Sequence, residues 1–174
     1  MEGKYCRDSF VVKTAHVLPP LTNSHGTLFG GRLLEFIDDV GAISALRHAR
    51  KLIVTASTDS VDFLHPIYEG NSVCLESFVT YAGRTSMEVF VRVIAEDLLT
   101  GERNLCALSF LTMVAIDENG KPTEVPKVIP QTEMEKALYN SAKERAENRK
   151  KRRKEAEILA RKFGTDYPWK ENIT

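Results

Sequence analysis

No apolar run in this 174-residue chain approaches the roughly 20 residues that a bilayer-spanning helix needs. Cysteine is scarce as well. Cys6, Cys74 and Cys106 are odd in number and far apart, which excludes a disulfide framework and the spacing of a zinc site. The four histidines form no ligand cluster with other residues, so no metal is expected. The opening residues, through Asp8, lack the apolar segment of a secretory signal. Internal repeats are absent. These gaps together lead us to expect a cytoplasmic protein with reduced thiols and no membrane association.

What is present fits one domain with a sizeable core. Hydrophobic residues make up 43% and charged residues 28%, values that place the chain among ordinary globular proteins. Its formal charge of zero hides an asymmetry. From Glu133 to Lys162 there are 11 Lys or Arg against 6 Asp or Glu, so this tail carries +5 and the remainder −5. Such a tail suits nucleic acid, an anionic surface or phosphorylated ligands, although a solvated helix is the favoured reading because charge runs solvate readily.

Val- and Phe-rich alternation marks a strand over residues 9–17, closed by Pro19 and Pro20. A turn-rich segment leads to a helix of some 18 residues ending near Ala49. Four strands follow, over residues 52–64, 72–81, 86–98 and 105–116, with glycine-containing turns between the last three pairs of elements at Gly70, Gly83 and Gly101. One helix against five antiparallel strands is an α+β architecture. It cannot cover the whole sheet and both edges, so a dimer is expected. Pro122, Pro126 and Pro130 mark a non-helical link, after which Thr132 and Glu135 make a capping box for a second helix. The domain boundaries read as 1–130 and a basic helical tail over 131–174.

The feature richest in chemistry is a glycine-rich turn, Asn23 to Gly31, followed by Asp38 and Asp39 inside an otherwise apolar helix. Apolar or small residues occupy nearly every side of that helix between Leu33 and Leu46, so it reads as buried all round. An unpaired carboxylate there would cost on the order of several kcal/mol, and a position carrying that cost is a candidate site. The helix start near Gly30 also offers free N–H groups to a developing oxyanion. The competing reading is a tight turn followed by a structural acid.

The turn and its acid resemble the hot-dog fold acyl-CoA thioesterases, in particular the bacterial YciA-like enzymes and the two-domain brain-type acyl-CoA hydrolase of animals. Asp62 to Pro66, Gly83 to Ser86 and Val125 to Pro130 fall in the family's order and spacing. The resemblance, which covers roughly residues 8–150, implies a five-stranded sheet wrapped round a central helix; the C-terminal helical tail is read from the sequence alone. The resemblance also implies sites at a dimer interface, and a homo-hexamer as a trimer of dimers. The activity it implies is hydrolysis of acyl-CoA to free acid and CoA within fatty acid metabolism, with CoA as product and no cofactor.

On that resemblance Asp38 is the general base, with direct nucleophilic attack the alternative role. Asp39, about 100° round the helix, is solvated or paired. Asn23 holds water or the thioester carbonyl, against an Asx-turn as the simpler role. Gly30 and Gly31 let substrate approach the oxyanion amides. Coenzyme A phosphates would meet Gly83, Arg84, Thr85 and Ser86, and the pantetheine arm would pair with backbone from Val54 through Thr55 to Ser57. Leu33, Phe36 and Phe29 are candidates for the acyl channel. Rival readings are a hot-dog hydratase, for which Asp38 has no evident His partner, and a CoA-sensing or nucleic-acid-binding module using Lys150 to Lys154.

Overall fold

Alternating β-branched and aromatic residues become five long strands, and the apolar segment between the first two becomes a helix lying on their sheet. The computed structural model describes residues 2–165. In order it contains β1 (Lys4–Tyr5), β2 (Val11–His16), α1 (Gly30–Ala49), β3 (Leu52–Phe63), β4 (Asn71–Ala82), β5 (Ser86–Asp97), β6 (Arg103–Ile116), β7 (Val128–Ile129) and α2 (Glu133–Phe163). The main sheet runs β2-β4-β5-β6-β3 and is antiparallel throughout. The expected α+β fold is therefore the observed one. Residues through Tyr139 form one compact unit and those from Asn140 a second. Of the expected tail, residues 166–174 lie outside the described part.

Helix α1 seats Leu33, Ile37, Val40 and Ala45 on Leu75, Val79, Val89, Val91, Leu111 and Met113, all of them buried. Gly41 allows the close approach: a Cβ there would lie 3.3 Å from Met113 Cε and 3.4 Å from Leu111 Cδ1. A polar latch sits inside this apolar contact. Ser77 Oγ donates to the Val40 carbonyl at 3.0 Å, which leaves it to accept from Ser44 Oγ at 2.7 Å. Both buried hydroxyls are thereby satisfied. On the opposite face Phe78, Phe90 and Phe110 form a ladder, with centroids 5.8 and 5.3 Å apart.

The expectation that α1 is buried on every side needs correction. Leu34 and Leu46 are exposed, as are Asp38 and Asp39. Beside this open flank runs β3, an edge strand whose residues are mostly exposed. Register shifts in its pairing with β6 leave Ala56 and Asp59 as extra residues. Ser57 Oγ at 2.6 Å and Thr112 Oγ1 at 2.7 Å both donate to the Asp59 carboxylate and staple the bulged segment.

Several short elements escaped the sequence pattern. Strands β1 and β7 pair in parallel, Lys4 with Val128 and Tyr5 with Ile129, and two residues are too few for periodicity to reveal. Residues Cys6–Ser9 form a 3-10 turn where a strand start was expected at Ser9. Ser9 Oγ donates to Cys6 O at 2.7 Å and accepts from the Val79 amide at 2.9 Å, so its side chain takes the place of a ladder bond.

Candidate active site

Asp38 and Asp39 leave α1 in different directions and meet different partners. Asp39 accepts from Lys13 Nζ of β2 at 2.6 Å, and Lys13 also lies 4.8 Å above the Phe36 ring. Asp38 turns the other way, toward β3, where Thr55 Oγ1 donates to its Oδ1 at 2.9 Å. Among the described residues Asp38 Oδ2 has no protein partner, so one oxygen is oriented and the other is open to water. Thr55 was expected only as a backbone contact for pantetheine. Its side-chain role was hidden because β3 reads as a run of small polar residues, and only the fold shows which of them faces the helix.

At its start α1 has no side-chain cap; Phe29 is the N-cap, in an extended conformation. Arg32 and Leu33 donate their N–H groups to the Phe29 carbonyl at 2.9 and 3.1 Å. The N–H groups of Gly30 and Gly31 precede the intrahelical ladder and point outward. A Cβ on Gly31 would lie 2.6 Å from Phe29 Cε1, so the exposed Phe29 ring would have to turn aside, whereas a Cβ on Gly30 would meet only Phe63 at 3.9 Å. Beside them a cavity of about 300 Å³ is lined by Thr27, Leu28, Gly30, Leu33, Phe63 and Leu64, among others. Leu33 and Gly30 thus line a slot, while Phe36 sits apart beneath Lys13.

Asn23 is committed to its own loop. Its Oδ1 accepts from the amides of His25 at 2.9 Å and Thr27 at 3.3 Å, and its Nδ2 donates to Thr27 Oγ1 at 3.0 Å. That is the Asx-turn, which shapes the approach to α1.

These pieces do not converge within one chain. Asp38 lies eight residues beyond Gly30, about 12 Å along the helix axis at 1.5 Å per residue. The idea that one helix brings its own acid to its own N-terminal amides therefore fails on length. A thioester carbon must lie about 3 Å from both the water and the oxyanion donors.

The Gly83–Ser86 hairpin lies at the sheet end reached by the last turn of α1. Gly83 N–H donates to Ser86 O at 2.8 Å, and the Thr85 carbonyl accepts from Ala115 at 3.0 Å. The Arg84 side chain is exposed. Val54 through Ser57 lie on the open edge strand, so backbone there is available to an extended ligand.

Among the described residues no group of three His, Cys, Asp or Glu has the arrangement of a metal site, and no helix is long and apolar enough to cross a membrane. Cys6 and Cys106 are buried. Burial pushes the Cys6 thiol up to about 12 and raises that of Cys106, so both are poor nucleophiles.

Comparison with known proteins bears on this arrangement. A family model described as the thioesterase superfamily matches residues 25–102. The uncharacterized acyl-CoA thioester hydrolase YkhA of Bacillus subtilis (strain 168) is 58% identical over 168 residues, covering 97% of this chain and 98% of its own. An apo-hexameric acyl-CoA thioesterase of known structure is 55% identical, with a TM-score of 0.86 over 87% of this chain and 97% of its own. The acyl-CoA hydrolase of Staphylococcus aureus, solved with butyryl coenzyme A, coenzyme A and coenzyme A disulfide, is 44% identical, with a TM-score of 0.88 over 93% and 99%. It has also been solved with an aspartate, a threonine or an asparagine replaced by alanine. Identity of this level along nearly the full length of both chains, on a shared fold, means that this chain belongs to the hot-dog thioesterase superfamily.

Proposed function

We propose that the protein is an acyl-CoA thioester hydrolase whose site is completed by a second copy of the chain. The observation that carries this reading is the pair Asp38–Thr55 at 2.9 Å on an open flank, too far from the Gly30 and Gly31 amides of its own helix. Exposed Phe29, Leu34, Val54, Phe63 and Leu64 line the same flank and edge, and an apolar patch of this kind marks a contact surface. A copy docked there brings its α1 N-terminus to the first copy's Asp38. Such pairs assemble further as a trimer of dimers, in keeping with the hexameric relative.

In the reaction Asp38 Oδ2 takes a proton from water, and the water oxygen attacks the thioester carbonyl carbon. Amides of Gly30 and Gly31 stabilise the oxyanion. When the tetrahedral centre collapses the carbon–sulfur bond breaks, and the proton held by Asp38 goes to the departing thiolate. Free carboxylic acid and CoA leave. Thr55 fixes the Asp38 carboxylate, and Asn23 shapes the loop against which the water lies. The aspartate, threonine and asparagine chosen for substitution in the S. aureus relative are the same three residue types. The hairpin from Gly83 through Arg84 and Thr85 to Ser86 takes the nucleotide phosphates, and Val54 to Ser57 pair with pantetheine. No cofactor takes part, and the enzyme works in the cytoplasm on intermediates of fatty acid metabolism.

Asp38→Ala is expected to abolish thiol release from acyl-CoA while the protein elutes at its native size. Full activity in that variant overturns the assignment of the base.

A further inference from the structure

The last turn of α1 ends against a strap, residues 125–130, that contains β7. Val125, Pro126 and Val128 of the strap are buried and Lys127 is exposed. One hydrogen bond ties it to the helix end directly, and two more do so through Lys4 of β1. His48 Nε2 bonds the Pro126 carbonyl at 2.9 Å, the Lys4 amide donates to Lys127 O at 2.8 Å, and Lys4 Nζ donates to His48 O at 2.7 Å. Two more run from the strap to the hairpin between β4 and β5. Val125 N–H donates to Arg84 O at 3.0 Å, and Lys127 Nζ donates to Gly83 O at 2.9 Å.

His48 is fully buried. A carbonyl only accepts, so Nε2 carries the proton and donates to Pro126. Nδ1 is then a bare acceptor, buried without a partner among the described residues. Desolvation lowers the pKa and keeps the ring neutral. An apolar side chain would fill the space without stranding a polar atom. The imidazole contributes one thing such a side chain lacks, the bond to the strap.

We propose that His48 is a positioning residue for coenzyme A binding: through Pro126 it holds the strap that fixes the backbone of Gly83 and Arg84, and so places the hairpin that meets the nucleotide phosphates. This rests on the reading of that hairpin as the nucleotide site. His48 touches no substrate and lies at the opposite end of α1 from the oxyanion amides. Its effect is therefore confined to recognition of the nucleotide and leaves the bond-breaking step alone.

The test compares butyryl-CoA with S-butyryl-pantetheine, which has the same thioester and no nucleotide. In the full-length protein His48→Leu keeps the volume and removes the donor, and His48→Gln restores an N–H near the position of Nε2. We expect His48→Leu to raise KM for butyryl-CoA about fivefold, the order of one positioned hydrogen bond. Its kcat and its kinetics with S-butyryl-pantetheine should stay at wild-type values, and His48→Gln should return KM close to wild type. An equal rise for both substrates, or no rise, overturns the proposal. Arg84→Ala separates the two claims. If it raises KM for butyryl-CoA and His48→Leu does not, the hairpin reading stands and the role of His48 falls; if it leaves KM unchanged, both fall. Should His48→Leu fail to fold, the wild-type protein carries the test: 3′,5′-ADP should shift the His48 imidazole ¹⁵N resonances, and no shift at saturation overturns the proposal.

Discussion

Adjacent carboxylates on one helix have opposite fates because about 100° of rotation separates them. Asp39 sits in a half-exposed ion pair with Lys13, where solvent screens the attraction. Asp39→Ala should change stability by less than about 1 kcal/mol and leave turnover near wild type. Asp38→Asn keeps the shape and removes the base; it should lower kcat by about 10²–10⁴-fold, the usual worth of a positioned proton acceptor. Thr55→Val frees the same carboxylate without removing it, and a loss of about tenfold is expected. Thiol release, read beside urea unfolding, checks all three. An Asp39 variant as inactive as the Asp38 variant would refute the division of roles. His48 adds a pH dependence. Burial is the largest influence on its pKa and lowers it; the charge of Lys4 acts in the same direction, while the Pro126 carbonyl and Asp8 oppose it. The folded state therefore binds the proton less readily than the unfolded chain. The contribution to stability is complete above about pH 6.5 and is lost as pH falls through the lowered folded value. Melting temperature should drop between pH 7 and pH 5, and His48→Gln should flatten that drop.

An element-level test lies where α1 meets the sheet. Gly41→Ala gains about 1 kcal/mol of helix propensity, and its Cβ meets the movable end of Met113, so the urea midpoint should barely change. Gly41→Val adds two methyl groups against Leu111 and Met113 without that offset and should destabilise by about 1–3 kcal/mol. Equal midpoints for the two variants would mean that the helix does not need this close approach. The element itself was legible because a stretch of fourteen residues from Leu33 to Leu46, eleven of them apolar or small, between turn signals admits little else. The same holds for the five strands, and for the start of α2, where Glu135 Oε2 accepts from the Thr132 amide at 2.9 Å and Thr132 Oγ1 accepts from Glu135 N at 3.2 Å. What could not be read was the side of α1 left open. An apolar helix bound for the core and one bound for the core and a neighbour share a single pattern. Only the strand order, which puts β3 at an edge, tells them apart. The Asx-turn of Asn23 was visible as an option and could not be ranked, because one amide side chain serves a loop or a substrate with the same atoms. The strap bond from His48 spans 78 positions to Pro126, and no local spacing encodes a contact at that range.

At the scale of the whole molecule, the 12 Å between Asp38 and its own Gly30 makes subunit exchange decisive. Let each site combine Asp38 of one copy with the α1 N-terminus of another. Gly31→Val should ruin the oxyanion end, since a branched side chain there blocks the close approach of substrate to the helix-start amides, while Asp38→Ala ruins the acid end. Each variant alone is inactive. In a mixed pair one site receives both defects and the other receives none. Random reassociation of equal amounts makes half of the pairs mixed, each with one intact site of two, so about a quarter of wild-type activity should return in a two-fold symmetric arrangement. Sites built within a single chain would return nothing, because every chain carries one lesion. The measurement is thiol release after co-refolding the two variants. A companion variant, Leu34→Glu, places charge on the exposed apolar flank and should both dissociate the assembly in sedimentation and remove activity. Activity that survives in a dissociated Leu34→Glu chain, or a co-refolded mixture that stays silent while each variant assembles normally, would return the whole site to one subunit.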